Sequence, residues 1–123
     1  MQFTLLPHDI DETRALIYRW EIHDAAGTLL GRYVGKAGRG SGRPRYNYRR
    51  NVRRLLAGIA YRPAKPDAYR KVHRALAQAH LHGHIITLAF LCNIAEGENI
   101  NDVEQHYIRT LDCSGEADWQ LNG

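Results

Sequence analysis

Apolar residues along this chain follow two periods, and the points where one gives way to the other mark its elements. Over residues 15–23, Leu16, Tyr18, Trp20 and Ile22 alternate with Ile17, Arg19 and Glu21, the two-residue period of a strand rich in β-formers. Asp24, Ala25, Ala26 and Gly27 carry turn chemistry, so residues 28–35 read as the returning strand of a hairpin. Helical period then takes over. Pro44 suits the first turn of a helix running to about Ala57, with Tyr48, Val52, Leu55, Leu56 and Ile59 as its core stripe and Arg45, Arg49, Arg50, Arg53 and Arg54 on the flanks. After the breaker-rich residues 60–66, Asp67 is expected to cap a second helix that buries Tyr69, Val72, His73, Leu76 and Ala79 and stops at Gly83. Residues 84–94 are almost continuously apolar, which predicts a central strand covered on both faces. A turn through Glu96, Gly97 and Glu98 leads to a last helix, with Asn101 as its cap and Val103, Tyr107, Ile108 and Leu111 as its apolar face.

The predicted order is β-β-α-α-β-α, an α+β domain with helices packed on a short sheet. At 123 residues the chain has room for one core. Residues 15–123 are assigned to that single domain. Residues 1–14 are an N-terminal extension, open between an edge strand and a packed segment. No apolar run approaches the roughly 20 residues of a membrane span, and the first residues lack a basic signal-peptide opening, so a soluble cytoplasmic protein with no membrane partner is expected. Cys92 and Cys113 have no Cys-x-x-Cys spacing and read as reduced thiols.

Charge changes the picture. The net charge is only +4, yet no acidic residue occurs between Asp24 and Asp67, where Arg32, Lys36, Arg39, Arg43, Arg45, Arg49, Arg50, Arg53, Arg54, Arg62 and Lys65 all fall. Such clustering points to a nucleic-acid partner, with Arg39, Arg43, Arg45, Tyr48, Arg49, Arg50 and Arg53 as the expected DNA-binding set. A solvated cationic helix face is the plain alternative.

The candidate chemistry centres on Tyr33, Val34, Gly35 and Lys36 and the glycine-rich residues 37–44 that follow. Gly35-Lys36-Ala37 is not the Gly-Lys-Ser/Thr end of a P-loop, which argues against a nucleotide cradle. His80, His82 and His84 suggest a metal site only faintly, because a helix-to-strand junction scatters side chains and no carboxylate or cysteine completes the set. Neither cysteine has the setting of a nucleophile.

More specific is a combination. Leu16-Ile17-Tyr18 and Tyr33-Val34-Gly35-Lys36 lie on paired strands, an arginine follows Tyr33 by ten residues, a helix carries Glu104, and Leu121-Asn122-Gly123 ends the sequence. Together these resemble the GIY-YIG nuclease family, over nearly the whole of residues 15–123. The resemblance implies a short three-stranded antiparallel sheet flanked by helices and a metal-dependent phosphodiesterase that cuts DNA. It places the motif tyrosines on Tyr18 and Tyr33, the essential arginine on Arg43, the metal-binding glutamate on Glu104 and a supporting asparagine on Asn122, with Lys36 following the second motif. Two departures stand out. Leu16 replaces the usual first glycine. The family often has His or Tyr four residues after the arginine, where this chain has Asn47 with Tyr48 beside it, so Arg45 and Arg49 are rivals for the arginine's role.

The residue types suit the reaction. Glu104 can hold one Mg2+ or Mn2+ per site with water and phosphate filling the other positions. Arg43 offers a donor fork to the scissile phosphate. A tyrosine starts from a pKa of about 10, so Tyr18 or Tyr33 acts as general base only if nearby positive charge lowers that value, the other then positioning the water. Each residue also has a structural reading: strand aromatics for the tyrosines, a capping-box partner of Asn101 for Glu104, a solvated charge for Arg43 and Lys36, a tail residue for Asn122. Two functions follow: a metal-dependent DNA endonuclease, or a catalytically idle basic DNA-binding module on the same fold. With no separate DNA-reading domain in the sequence, a homodimer or a specificity partner is a further expectation.

Overall fold

The computed structural model describes all residues 1–123 and has an α+β fold built on one four-stranded mixed sheet. Its elements are β1 (Thr4–Leu5), β2 (Leu16–His23), β3 (Leu29–Ala37), a π-helical turn (Arg43–Asn47), α1 (Tyr48–Leu56), α2 (Lys71–His82), β4 (Ile85–Asn93) and α3 (Ile100–Thr110). Strand order is β1-β4-β2-β3. β2 and β3 form the antiparallel hairpin, with Tyr18 opposite Gly35 and Trp20 opposite Tyr33, and β2 pairs antiparallel with β4 on its other side.

The three-stranded antiparallel sheet expected above is therefore corrected: β1 adds a fourth strand, parallel to β4 through Thr4↔Thr87 and Leu5↔Leu88. Two residues are too few to show a period, so only the packing reveals this strand. Phe3 sets its ring edge-on to Trp20 at 5.0 Å, and Met1, Leu5 and Ile10, partly buried, pack on the same cluster, so the N-terminal residues supply both an edge strand and a packed segment.

Alternation along β2 sorts the core into two layers. Leu16, Tyr18, Trp20 and Ile22 face α1 and α2, where they meet Tyr48, Val52, Val72 and Leu76. Ile17, together with Val34, joins Ile108 of α3 and Cys113. Helices thus cover both faces, and β3 lies at one edge of the sheet, with β1 at the other. The C-terminal segment covers that edge: Arg32 N–H donates to Trp119 O at 2.8 Å, Leu121 N–H to Arg32 O at 3.1 Å, and the Asn122 side-chain amide continues the ladder by accepting from Val34 N–H at 2.9 Å and donating to Val34 O at 2.7 Å. Pairing of this kind satisfies an exposed strand edge.

Helix boundaries differ from the sequence expectations for identifiable reasons. The turn before α1 has i→i+5 spacing, and α1 ends at Leu56, so Leu56 and Ile59 are 40% and 45% exposed instead of completing a core stripe. α2 begins at Lys71 with Arg70 as its cap, because residues 61–68 close into their own turn through Tyr61 N–H to Pro66 O and Ala68 N–H to Lys65 O; Asp67 is not the cap. It ends as expected at Gly83, which takes φ 67°, the left-handed conformation glycine tolerates. The cap of α3 is Asn99, whose side chain accepts from Asn101 N–H at 2.9 Å and Asp102 N–H at 3.3 Å, so Asn101 is displaced from that role. No helix is long and apolar enough to cross a membrane.

Candidate active site

A cleft of about 610 Å³ opens beside β3 and is lined by Tyr18 from β2, Tyr33 and Lys36 from β3, Arg43 from the π-helical turn, Glu104 from α3 and Asn122 from the C-terminal segment, together with Arg70 and Lys71 at the start of α2. The hairpin register makes the first part of this arrangement. Tyr18 lies opposite Gly35, and its ring crosses that glycine so closely that a β-carbon there would collide with the phenol. The glycine of the Tyr33-Val34-Gly35-Lys36 stretch is thus needed because Tyr18 occupies the space a side chain would fill.

Three phenols meet at the base of the cleft. Tyr18 Oη lies 2.6 Å from Tyr48 Oη, and Arg70 spans two rings, donating from Nη1 to Tyr33 Oη at 2.8 Å and from Nη2 to Tyr48 Oη at 3.1 Å. Tyr48, expected by period in the core stripe of the first helix and by charge clustering in the DNA-binding set, takes the core place: it is 1% exposed and joins the tyrosines of the two strands. The π-helical turn explains its place. With i→i+5 spacing, the residue one turn beyond Arg43 is Tyr48 and not Asn47, so the one-residue offset noted in the sequence is absorbed by the backbone. Burial, reinforced by the neighbouring phenols, pushes the Tyr18 hydroxyl well above the usual tyrosine range. Burial and Tyr48 also raise Tyr33, and Arg70 pulls in the opposite direction. In the free protein both are neutral hydroxyls.

Arg70 went unremarked in the sequence. A signal was present: Arg70 and Lys71 put two cations at a helix N-terminus, where the helix dipole disfavours them, which marks residues held there for another purpose. Lys71 ties down the C-terminal segment, donating to Gln120 O at 2.9 Å and Ala117 O at 3.1 Å.

The arginines divide by what they already hold. Arg45 donates to both carboxylate oxygens of Glu12, at 2.6 and 2.9 Å, and this bond holds the Glu12 carboxyl down at about 2. Arg49 donates to Met1 O at 3.1 Å and lies over the Phe3 ring at 4.9 Å. Both anchor the N-terminal residues. Arg43 is exposed and has no hydrogen bond or ion pair to protein, as do Arg39, Arg50 and Arg53. Of the three rivals, only Arg43 keeps its guanidinium free over the cleft.

Glu104 is half-buried and unpaired. Burial raises its carboxyl above the usual range, offset in turn by the charges of Lys36, Arg43 and Arg70. With the helix capped by Asn99, Glu104 is not a capping-box partner of Asn101; Asn101 Oδ1 instead accepts from Lys36 Nζ, which fixes Lys36 one turn before Glu104. The cleft therefore combines one carboxylate with four cations, Lys36, Arg43, Arg70 and Lys71, an excess of positive charge suited to a phosphodiester. A lone unpaired carboxylate facing open space fits a magnesium ion, which keeps most of its waters and takes one or two protein ligands. The His80, His82 and His84 run lies outside this cleft, with His82 and His84 stacked at 5.4 Å.

Behind the phenols, His73 is 1% exposed; its Nδ1 accepts Arg70 N–H at 3.2 Å and its Nε2 lies 3.4 Å from the Asn51 side-chain amide. Burial, then Arg70, Arg43 and Arg74, pulls its pKa from 6.5 down to about 4. The unfolded chain takes up this proton first, so the stability His73 confers is complete above about 6.5 and drains away as pH falls toward 4. Thermal melts across that window are expected to show a falling midpoint, and His73→Gln a flatter profile.

No family model, curated protein or solved structure matches this chain.

Proposed function

We propose that this protein is a metal-dependent endonuclease of the GIY-YIG type, hydrolysing DNA phosphodiester bonds as a soluble cytoplasmic enzyme. One observation carries the reading. Tyr18, Tyr33, Lys36, Arg43, Glu104 and Asn122, scattered over more than a hundred residues, line a single cationic cleft that contains one unpaired carboxylate.

Glu104 would hold Mg2+ or Mn2+, which when bound supplies Lewis-acid stabilisation of charge on the phosphate. Arg43 binds a non-bridging oxygen of the scissile phosphate through its free donor fork. Lys36, held by Asn101, adds a fixed positive charge beside Glu104. Tyr33 accepts a hydrogen bond from Arg70, so its own proton is directed into the cleft, where it orients the attacking water; of the two strand tyrosines it is the one whose anion Arg70 favours, and it would take the water's proton only after its own has left to solvent. Tyr18, bonded to Tyr48, packs beside the Tyr33 ring with centroids 6.4 Å apart. Asn122 acts at one remove by fixing Val34, between Tyr33 and Gly35. Arg39, Arg50 and Arg53 are exposed and carry the flanking DNA. One cleft cuts one strand at a time, so a double-strand break needs a second copy of the chain, a partner or a second event.

The competing reading, an idle DNA-binding module, draws on the raised tyrosine pKa values, since neutral phenols bonded to one another are poor bases. Calorimetric titration with MnCl2 separates the two. The enzyme shows a single site that disappears in Glu104→Gln; an idle module shows no Glu104-dependent heat.

A further inference from the structure

A second cleft, of about 430 Å³, lies behind the first and is lined by Arg43, Arg50, Arg54, Arg62 and Arg70, with Asn47, Asn51, Tyr48, Tyr61 and His73 completing its walls. Five guanidinium groups converge there and no carboxylate is among the lining residues. Like charges gathered without counter-charge repel one another, and a fold retains them at a cost unless an anion is to be held. The side chains of Arg50, Arg62 and Arg43 make no hydrogen bond to protein, and that of Arg54 uses one donor, on Ala60 O at 3.1 Å. The contrast with Arg45 and Arg49, whose donors are engaged on the N-terminal residues, is sharp.

The remaining lining distinguishes a nucleotide from a bare anion. Tyr61 is stacked on Tyr69, rings 5.1 Å apart and 22° from parallel, and carries the Arg62 guanidinium 5.3 Å from its centroid. Aromatic rings and arginine planes are the surfaces on which unpaired bases stack. Asn47 and Asn51 each bring an amide with both donor and acceptor, the groups that read a base edge and that a phosphate would not require. The volume of about 430 Å³ has room for a nucleotide unit. Arg43 and Arg70 line both clefts, so the two adjoin and one strand can reach from the first into the second.

We infer that the second cleft binds an unpaired nucleotide of the strand whose scissile phosphate sits in the first, so that the preferred substrate carries a single-stranded segment, as a flap, a fork or a branch does. Arg50, Arg54 and Arg62 hold its phosphates, and Tyr61 with the Arg62 plane stacks its base. The inference rests on the nuclease reading for the role of the first cleft, but binding tests it without catalysis.

The test is fluorescence anisotropy in EDTA with a labelled single-stranded 10-mer, a duplex of the same sequence and a duplex carrying a single-stranded flap. The probes are read against wild type, the Arg50→Ala/Arg62→Ala double variant and Tyr61→Leu, with inorganic tripolyphosphate as competitor. The double variant is expected to lose the single strand and the flap by tenfold or more and to lower the salt slope by roughly 1.4, at about 0.7 per single-strand phosphate contact. Tyr61→Leu is expected to lose roughly tenfold with the salt slope unchanged, as removal of a stacking surface does. Tyr61→Leu should keep its affinity for plain duplex, the double variant should lose far less on plain duplex, where Arg50 alone is a contact, than on the flap, and both should keep their thermal midpoints. Equal affinity of wild type and double variant for the single strand overturns the inference, and so does a Tyr61→Leu variant that binds as wild type while tripolyphosphate competes fully, which would leave an anion site only. A protein that binds flaps through Arg50 and Arg62 yet never cuts in magnesium upholds this site and removes the catalytic reading instead.

Discussion

Glu104→Gln is expected to lower the rate of magnesium-dependent strand cleavage by a thousandfold or more while leaving DNA affinity and the melting temperature close to wild type. The size follows from the loss of charge stabilisation in the transition state, for which single groups contribute on the order of 10² to 10³ and an ion with its ligand more. The selectivity follows from the structure. Glu104 has no hydrogen bond or ion pair to lose, and it is one negative charge among four cations. Glutamine keeps its shape and removes the charge that would hold the ion, so the folded protein and its grip on phosphate should survive. Single-turnover cleavage alongside anisotropy measures both quantities on the same preparation.

Arg43→Ala and Arg45→Ala form the second pair, with opposite expectations. Arg43→Ala should cut the cleavage rate by about 10² to 10³ and leave stability unchanged, because its guanidinium faces the cleft and touches no protein partner. Arg45→Ala should leave the rate within a few-fold and cost about 1 kcal/mol of stability, because it removes the fork on Glu12 that pins residues 1–14 to the π-helical turn. That cost should itself vanish at acid pH. Glu12, held down from 4.5 to about 2, contributes above 4.5 and ceases to contribute as it is protonated on the way down to 2. Kinetics and melts on the two variants check all of this. A rate lost in Arg45→Ala and kept in Arg43→Ala would reverse the assignment.

Much of the lining of the candidate cleft was legible in the sequence, because the elements that carry it are locally encoded. Tyr18, Tyr33 and Lys36 belong to a hairpin whose period of two and turn residues are local properties, and Glu104 lies on a helix with a clear apolar face. What required the structure was any choice depending on a distant neighbour. Arg45 is eliminated by Glu12 and Arg49 by Met1 and Phe3, contacts across more than thirty residues that no pattern in the arginine run announces. Tyr48 reached the tyrosine cluster through a π-helical turn, which leaves no period long enough to read in five residues. Arg70 is one of two adjacent cations at the start of α2, and only the convergence of β3, α1 and α2 gives it two phenols to bridge. The short strand β1, with two residues, is equally invisible to periodicity and changes the sheet from antiparallel to mixed.

Asn122 shows the converse. Near the end of the sequence it has no element around it, and its supporting role came only from the resemblance to nucleases. In the structure its amide closes on Val34 from both sides, so its contribution is to hold the edge of β3 straight between Tyr33 and Gly35. A side chain engaged in that way positions the cleft without touching a substrate.

The central claim is that the cleft cuts DNA, and the most direct test is the fate of supercoiled plasmid with purified wild-type protein in excess, in magnesium or manganese against EDTA. A nuclease converts supercoiled plasmid to open circle in the metal only, with linear product appearing later as nicks accumulate on both strands. Plasmid that stays supercoiled in both metals, while being bound with a steep dependence on salt, would contradict the account and leave a basic binding module in its place.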